Sequence, residues 1–358
     1  MKKSVLALAV LGAISTGAFA QTNVSVYGLL DVGIVQERGG AAGSVTKLTS
    51  GVGAGSRLGF KGTEDLGGGL SALFVLENGY QADTGALGQG GLMFGRQAFV
   101  GLGSTNFGTV TLGRQYTPQY LTVAFVDPFG TGFAGNANNI LPQTGNATSR
   151  MDNSVKYVSP NFSGFTGEVA YGFGEVAGST STARQYGLAV GYANGPLAVR
   201  LGYHNLNNGT AAAPAIGTEN AKNTLLGATY DFKVAKAHLA YGVDKGLNSS
   251  KYRNAVNPFT GLAQSGSTDS TDVLVGVTVP FGAHKVLASY IHKNDKTANN
   301  MDANQYALGY IYSLSKRTEL YTTYAKISNK NGAGYTVGGA IEAGSGDQAF
   351  NAGIRHAF

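Results

Sequence analysis

The chain has 358 residues, a formal net charge of +6 and only 13% charged residues. Its 17 phenylalanines and 19 tyrosines exclude a disordered chain or linker array, and its 55 glycines show no G-X-Y repeat that would indicate collagen. The absence of cysteine excludes disulfides, cysteine-ligated zinc, iron–sulfur clusters and thiol nucleophiles. After residue 20 no apolar run approaches the ~20 residues that a membrane-spanning helix needs.

The first twenty residues have the organisation of a secretory signal peptide. A basic start, Met1-Lys2-Lys3, precedes an apolar stretch from Val5 to Ile14 and an A-x-A site at residues 18–20. This pattern predicts cleavage before Gln21, because an N-terminal membrane anchor would need a longer apolar run. Cleavage would lower the net charge from +6 to +4. The remaining basic residues form no block, so we predict no nucleic-acid partner.

From Val24 onward the hydrophobic period is two, which predicts strands with one apolar and one more polar face. The even positions from Val24 to Ile34 are apolar or glycine, and the valines at 273, 275, 277 and 279 alternate with Asp272, Leu274, Gly276 and Thr278. We count sixteen such segments. They begin near residues 24, 57, 68, 93, 107, 153, 165, 185, 197, 223, 235, 271, 284, 305, 318 and 347.

The connections between these segments alternate between tight turns and long loops. The long connections are predicted at 37–56, 78–92, 117–152, 175–184, 206–222, 246–270, 294–304 and 328–346. Short turns on one rim and long loops on the other are typical of an up-and-down barrel in an outer membrane. A secreted sandwich or propeller is the alternative, but such a protein would carry more surface charge than 13%. The sequence therefore predicts an all-β, 16-stranded antiparallel transmembrane β-barrel, which closes because an open edge would leave unpaired backbone groups in lipid.

The last segment alternates up to a terminal aromatic residue, Phe358. This ending resembles the C-terminal signal by which outer-membrane barrels are inserted, so Phe358 is the candidate assembly signal. An ordinary final strand is the alternative interpretation.

Seven segments, in this order and spacing, resemble Gram-negative general porins of neisserial and β-proteobacterial outer membranes. They are VSVYGLLD (24–31), SRLGFKGTEDLG (56–67), GRQAFVGL (95–102), FGTVTLGRQ (107–115), SRMDNSV (149–155), YSLSKRT (312–318) and GIRHAF (353–358). The resemblance implies a homotrimer that lets small hydrophilic solutes and inorganic ions diffuse passively. The other expected partners are outer-membrane lipid and lipopolysaccharide, and the barrel-assembly machinery.

A barrel of sixteen strands is too wide for side chains to fill, so selectivity depends on what narrows its channel. The longest connection, 117–152, is the candidate constriction loop; in similar porins this third loop folds into the barrel. A long loop without its own structure is usually functional or disordered, and an exposed surface flap is the alternative. Asp127 in this loop is a candidate acid facing basic residues on the wall.

Alternation predicts which charged side chains face the lumen, since a charge facing lipid costs about 2–4 kcal/mol at the midplane. On the second segment Leu58 and Phe60 share the apolar face, so Arg57 and Lys61 are predicted to point inward. On the third segment the same reasoning turns Glu77 inward.

The fourth and sixth segments add two further candidates. Phe99 is taken as lipid-facing, which leaves Arg96, Ala98 and Val100 inward. Around Val155 and Tyr157 the inward set is predicted to be Arg150, Asp152, Ser154 and Lys156. In similar porins the positions of Arg57, Arg96 and Arg150 hold a basic cluster at the pore waist.

Other charged and aromatic residues are assigned less specific positions. Lys61, Lys156, Arg200 and Arg355 are candidate lumen residues, whereas Arg114 shares parity with Val110 and Leu112 and is predicted at the rim. The candidate interfacial aromatics are Tyr27, Phe60, Phe99, Tyr310, Tyr312 and Phe358.

The basic waist favours a general diffusion porin with anion preference, because rings of basic side chains attract anions. Glu77 and Asp127 could balance that charge, so the ion preference stays open at this stage. The alternative is a binding barrel, either a substrate-specific channel or a surface adhesin. The five histidines lack an H-E-x-x-H pattern and a nearby G-x-S-x-G, so we predict no enzyme, no cofactor and no metal site.

Overall fold

A computed structural model describes residues 23–40, 43–141, 149–207, 220–246, 249–250, 267–337 and 346–358. The predicted signal peptide, residues 1–20, lies outside the described residues. Within the described ranges, none of the helices has the length and apolar character needed to cross a membrane.

Strands dominate the described chain, joined by one α-helix and one short 3₁₀ helix. The strands are β1 Asn23–Gly40, β2 Gly43–Ser50, β3 Arg57–Gly67, β4 Leu70–Gly79, β5 Gln97–Ser104, β6 Gly108–Tyr116, β7 Arg150–Val158, β8 Phe165–Gly172, β9 Gln185–Asn194, β10 Leu197–Leu206, β11 Ala221–Asp231, β12 Lys236–Lys245, β13 Asp269–Phe281, β14 His284–Asp295, β15 Ala303–Ser313, β16 Thr318–Asn329 and β17 Gln348–Ala357. The helices are α1 Pro118–Val126 and the 3₁₀ turn Ala137–Asn139.

Each strand from β3 to β16 pairs antiparallel with the next, β17 pairs back onto β1, and β1 pairs with β3, so the ring of strands closes. The seam is sealed at its end by the terminal residue: Gly28 donates its N–H to the Phe358 carbonyl at 3.1 Å, and Phe358 donates its own N–H to the Gly28 carbonyl at 3.0 Å. Closure pairs each of the strands β3 to β17 on both sides without a partner chain, as the hydrocarbon core of a membrane requires.

The second barrel position is shared by two strands. β3 pairs with the first half of β1, through Leu29↔Arg57, whereas β2 pairs with the second half, through Val32↔Ser50. β2 and β3 together thus occupy one position in the ring, and the barrel has sixteen positions, as predicted. The prediction of a loop over 37–56 is wrong in detail, because β1 continues to Gly40 and β2 lies within that range.

The predicted alternation is realised in the burial pattern. Apolar side chains at one parity are about half exposed and form the outer face of the barrel, among them Val26 at 61%, Leu226 at 46% and Leu308 at 58%. Their neighbours at the other parity, such as Asp31 and Leu225, are buried on the inner face. The sheet therefore presents its apolar side outward, the reverse of a soluble barrel.

Candidate functional site

The segment from Thr117 to Leu141 lies along the inner face of the wall. The Thr117 hydroxyl caps α1 by accepting the N–H of Tyr120 at 3.1 Å, and Pro118 occupies the first turn, where its missing N–H costs nothing. Residues of the segment then fit over inner-face glycines of successive strands. A Cβ at Gly202, Gly227, Gly276 or Gly309 would lie 2.4, 3.0, 2.4 and 2.9 Å from Thr122, Val126, Pro128 and Phe129 respectively.

The row of glycines explains why the segment approaches the wall so closely. Any larger residue at these positions would push the segment toward the barrel axis. The helix contacts β8 to β12, and the residues that follow it reach β13 and β15.

Asp127 organises the turn after α1. Its carboxylate accepts backbone N–H groups from Phe129, Thr131 and Ala137 at 2.8–2.9 Å, and the residue is 5% exposed. Burial raises the pKa of Asp127 from 3.8 to about 6, against the opposing effect of these three hydrogen bonds. The prediction of Asp127 as an acid facing the arginines is therefore corrected, because its carboxylate is occupied inside the segment.

The far end of the segment is tied to the connection between β2 and β3. Phe133 donates its N–H to the Val52 carbonyl at 2.6 Å. On the other side of that connection, the Asp31 carboxylate accepts the N–H groups of Gly53 and Ala54 and the Tyr321 hydroxyl, at 2.6–2.9 Å. The segment thus follows the inner wall from β9 round to β3 and leaves β3 to β7 as the uncovered arc.

Arg57, Arg96 and Arg150, which we call the arginine cluster, come together on that uncovered arc. Arg150 donates its Nε to the Arg96 carbonyl at 2.8 Å, and both residues donate to the Tyr116 hydroxyl, at 2.7 and 3.1 Å. Arg57 donates its Nε to the Gly55 carbonyl at 2.9 Å and interacts electrostatically with Arg96. The three guanidinium groups are therefore held mainly by carbonyl and phenol oxygens.

Glu77 lies beside the arginine cluster and points inward, where the sequence predicts it. Its Oε1 accepts Arg96 Nε at 2.8 Å and its Oε2 accepts the Tyr27 hydroxyl at 2.9 Å. This carboxylate offsets the charge of Arg96. Among the described residues no carboxylate oxygen lies within 4.0 Å of the Arg57 guanidinium.

Arg96 joins the arginine cluster, although the prediction that Ala98 and Val100 face the lumen and Phe99 faces lipid is wrong. Val100 is 58% exposed and Leu102 is 53% exposed, so Ala98 and Val100 face outward, while Phe99 pairs with the inward Val75. Arg96 still reaches Glu77 because it precedes β5, which begins at Gln97. Tyr27 also faces inward, so neither it nor Phe99 belongs to an interfacial girdle.

The parity of β7 does not persist to its start. Ser154 pairs with Gly113 but Met151 pairs with Gln115, so one extra residue is inserted near Asn153, which has a φ of 49°. Such a bulge turns Asp152 to the other face, whereas Arg150, the first residue of β7, still reaches the Arg96 carbonyl and the Tyr116 hydroxyl. The prediction of an inward Asp152 is wrong: this residue is exposed and forms an ion pair with Arg114.

Lys156 and Arg200 share one carboxylate. Glu168 lies 3.1 Å from Lys156 Nζ and 2.8 Å from Arg200 Nη2. Arg200 also donates to the Thr122 hydroxyl at 3.0 Å and to the Pro118 carbonyl at 3.4 Å. Arg200 therefore attaches α1 to the wall, and it shares Glu168 with Lys156.

The remaining two predicted lumen residues, Lys61 and Arg355, differ in their surroundings. Lys61 is exposed and its Nζ lies 5.3 Å from the centre of the Tyr27 ring. Arg355 forms an ion pair with Glu319 and lies 5.7 Å from the Phe133 ring, at the end of the loop segment.

A second charged group was missed by the sequence analysis. Lys293 on β14 is fully buried between Asp244 and Asp272, at 2.7 and 2.9 Å, and we call these three residues the lysine cluster. The signal was present, since Asp272 and Lys293 are predicted strand residues of adjacent segments and are direct cross-strand partners.

Comparisons with known proteins agree with this architecture. The profile of the Gram-negative porin family matches residues 7–332. An outer membrane porin of Bordetella pertussis is 35% identical, with 91% of this chain and 94% of that protein covered, and outer membrane porin protein 32 of Delftia acidovorans is 35% identical over the full length of both. The structure of an anion-selective porin from Comamonas acidovorans superposes with a TM-score of 0.75 at 30% identity, covering 94% of this chain and all of that one.

The closed ring of sixteen strand positions, with its apolar face outward, defines a channel-forming barrel of the outer membrane. The chain belongs to the Gram-negative porin family and functions as an outer membrane porin. The trimer form of OmpT from Vibrio cholerae shares the fold, with a TM-score of 0.66 at 19% identity.

Proposed function

We propose that this porin is a general diffusion channel that prefers anions, with the arginine cluster and the segment 117–141 forming its constriction. The observation that supports this most directly is the environment of Arg57, whose guanidinium donates to a backbone carbonyl and meets no carboxylate within 4.0 Å among the described residues. A charge held by neutral oxygens keeps its field in the channel. The function is passage rather than catalysis.

The segment 117–141 supports the proposed constriction through where it lies. It occupies the inner face from β9 round to β3, so solutes pass between it and the arc that holds the arginine cluster. In this proposal Glu77 moderates the charge of the cluster, whereas Asp127 only holds the segment together. The remainder of the predicted loop up to residue 148 lies outside the described residues.

The reversal potential of the purified protein in a planar bilayer, under a tenfold KCl gradient, tests this proposal. We expect a potential of the anion-selective sign that falls close to zero in the triple variant R57Q/R96Q/R150Q. R114Q is the matched control, because Arg114 has outward parity and is paired with the exposed Asp152. Cation selectivity of the wild type, or an unchanged potential in the triple variant, would contradict the proposal.

A substrate-specific channel or an adhesin is the alternative function. A folded protein without conductance would favour a recognition barrel.

We further infer that the protein is exported through the signal peptide at residues 1–20 and assembles as a homotrimer in contact with lipopolysaccharide and other lipids. Phe358 is the proposed signal for the barrel-assembly machinery. Its ring covers Gly28, where a Cβ would lie 2.1 Å from the ring, and half of its surface is exposed on the outer face.

A further inference from the structure

Asp31 lies at the point where β1 changes its partner strand. β1 pairs with β3 up to Leu29 and with β2 from Val32 onward, so Asp31 faces the connection 51–56 between those two strands. Its backbone carbonyl accepts the Gly51 N–H at 2.8 Å, where the connection leaves β2. The residue is fully buried on the inner side of the wall, so its carboxylate does not meet solutes directly.

Both carboxylate oxygens of Asp31 have partners that fix this connection in place. Oδ2 accepts the N–H groups of Gly53 and Ala54 at 2.9 and 2.8 Å, and Oδ1 accepts the Tyr321 hydroxyl at 2.6 Å. The backbone N–H of Asp31 also donates to the Ser56 hydroxyl at 3.1 Å. One buried residue thus holds the connection at its middle and at its end.

Gly55 links this anchored backbone to the arginine cluster. It follows Ala54 directly, and its carbonyl accepts Arg57 Nε at 2.9 Å. The place of that carbonyl therefore decides where the Arg57 guanidinium lies. Glu77 is the competing acceptor, because it pairs with Gly59, two residues along β3 from Arg57, and interacts electrostatically with Arg57. Long side chains in such a diagonal pair are within reach of each other.

The same connection holds the far end of the segment 117–141. The Val52 carbonyl accepts the Phe133 N–H at 2.6 Å, directly before the two N–H groups that Asp31 binds. A Cβ at Gly53 would lie 2.5 Å from the Phe133 ring and 2.8 Å from Asp31 Oδ2, so the three groups are in close contact. Asp31 thus supports both sides of the proposed constriction through one short stretch of backbone.

We propose that Asp31 is a positioning residue for the ion selectivity of this porin. It holds the Gly55 carbonyl in place, and that carbonyl keeps the Arg57 guanidinium directed at the channel and away from Glu77. This inference rests on the proposed anion preference, because it assigns the origin of the Arg57 geometry. Asp31 acts through Arg57, since its own carboxylate is enclosed by its partners.

The test is the reversal potential of the purified protein in a planar bilayer under a tenfold KCl gradient. We expect Asp31→Ala to lower the ratio of anion to cation permeability about threefold, the effect of moving one charge in water from about 6 to about 12 Å from the ion. Asp31→Asn should not lower the ratio, because its amide oxygen accepts the same N–H groups. The sign is decisive, since removal of a negative charge alone would raise the ratio in both variants.

Two further variants show whether Asp31 acts through Arg57. D31A/R57Q should have the same ratio as R57Q alone, because the group that Asp31 positions is already absent. Asp295→Ala is the matched control: Asp295 is also a buried carboxylate that accepts backbone N–H groups, from Thr297 and Met301 at 3.1 and 2.9 Å. It holds the connection after β14, a strand that adjoins neither β1 nor β3, so the ratio should be unchanged.

Asp31→Ala leaves the buried Tyr321 hydroxyl without its acceptor, which can prevent folding. In that case D31A/Y321F, which leaves no unpaired phenol, takes its place, with Tyr321→Phe as its reference. Electrophoretic mobility before and after heating shows that each variant is a folded barrel.

An unchanged or raised ratio in folded Asp31→Ala would overturn the proposal. A further fall in D31A/R57Q, or an equal fall in Asp295→Ala, would also overturn it, because the effect would then not depend on Arg57. If Arg57→Gln itself leaves the reversal potential unchanged, the proposed anion preference fails together with this inference. Failure of the Asp31 variants alone leaves that preference in place.

Discussion

The arginine cluster and the lysine cluster lie on different parts of one inner wall and hold their cations in opposite ways. Arg57 donates to a backbone carbonyl and has no carboxylate partner within 4.0 Å among the described residues. Lys293 lies between Asp244 and Asp272 with none of its side chain exposed. The first arrangement leaves a charge directed at the channel, whereas the second cancels it.

The contrast between the two clusters shows that a basic residue on the inner wall does not by itself attract anions, because its hydrogen-bond partners decide whether its charge is cancelled. Neutral acceptors satisfy the hydrogen-bonding capacity of a guanidinium while leaving its net charge intact. A buried ammonium, by contrast, requires anions because an unpaired charge out of water is costly. The first cluster should therefore control permeation and the second should control stability.

The largest expected effect is on the lysine cluster. Lys293→Met leaves two buried aspartates facing each other, and we expect a loss of stability of about 3–5 kcal/mol. The loss is measured as a fall in the temperature at which the folded barrel changes its electrophoretic mobility. The triple variant K293M/D244N/D272N removes the charges together and should recover most of the loss. An unaffected single variant would contradict the structural role.

A loss of the same order is expected at Asp127, which belongs to neither cluster and so tests whether loop order alone alters permeation. Asp127→Ala leaves the buried N–H groups of Phe129 and Ala137, and the part-buried one of Thr131, without their acceptor, at about 1–3 kcal/mol for each buried group left unsatisfied. The measurement is excess current noise in single-channel recordings. Asp127→Asn keeps an acceptor oxygen and should be quieter than the alanine variant.

The raised pKa of Asp127 predicts that channel noise depends on pH. The pKa of Asp127 is raised from 3.8 to about 6 in the folded protein. Protonation therefore favours the folded segment, so its stabilising contribution is full below pH 3.8 and is lost as the pH rises through about 6. We expect channel noise to increase over this window in the wild type and to be nearly independent of pH in Asp127→Asn.

Ion selectivity should respond to single charges in the arginine cluster. Arg57→Gln should lower the ratio of anion to cation permeability about tenfold, because one charge about 6 Å away in water changes the energies of an anion and a cation by about 0.7 kcal/mol each, in opposite directions. Glu77→Gln should raise it by a similar factor, because it releases Arg96 from its carboxylate. Reversal potentials of the two variants measure both changes. Shifts of the same sign would refute the prediction that Arg57 and Glu77 have opposite effects on ion selectivity.

The smallest effect is expected at Lys61. This side chain is exposed beside the Tyr27 ring, where solvent and salt screen its charge. Lys61→Gln should change the permeability ratio less than twofold. A shift as large as that of Arg57→Gln would show that the field of the wall extends well beyond the arginine cluster.

Much of the fold was predictable, because a period of two over sixteen segments directly specifies strands with one apolar face. β2 escaped prediction, since GSVTKLTS has little apolar contrast and pairs only with the end of β1. The predicted orientation of a side chain, toward the lumen or toward lipid, was wrong where the chain departs from regular pleating. The bulge at Asn153 turned Asp152 away from the lumen, and Phe99 faces inward despite its apolar character.

The candidate site was predictable in its wall residues but not in its loop. Arg96 reaches the cluster from outside β5, so parity could not have placed it, and the resemblance to porins identified it instead. The partners of Asp127 are backbone N–H groups of its own segment, which leave no trace in side-chain patterns. The glycines beneath α1 were a usable signal, since Gly202 and Gly227 interrupt the inner faces of adjacent strands.

The contact between Phe133 and Val52 joins the end of the loop segment to the wall through main-chain atoms alone. Glycine is required on both sides, because a Cβ at Gly132 would lie 1.8 Å from the Gly53 carbonyl oxygen. Elsewhere along the segment, an evolving lineage can exchange side chains and so retune its permeability while this anchor stays in place. Insertions and deletions between β2 and β3 are the changes that selection should tolerate least.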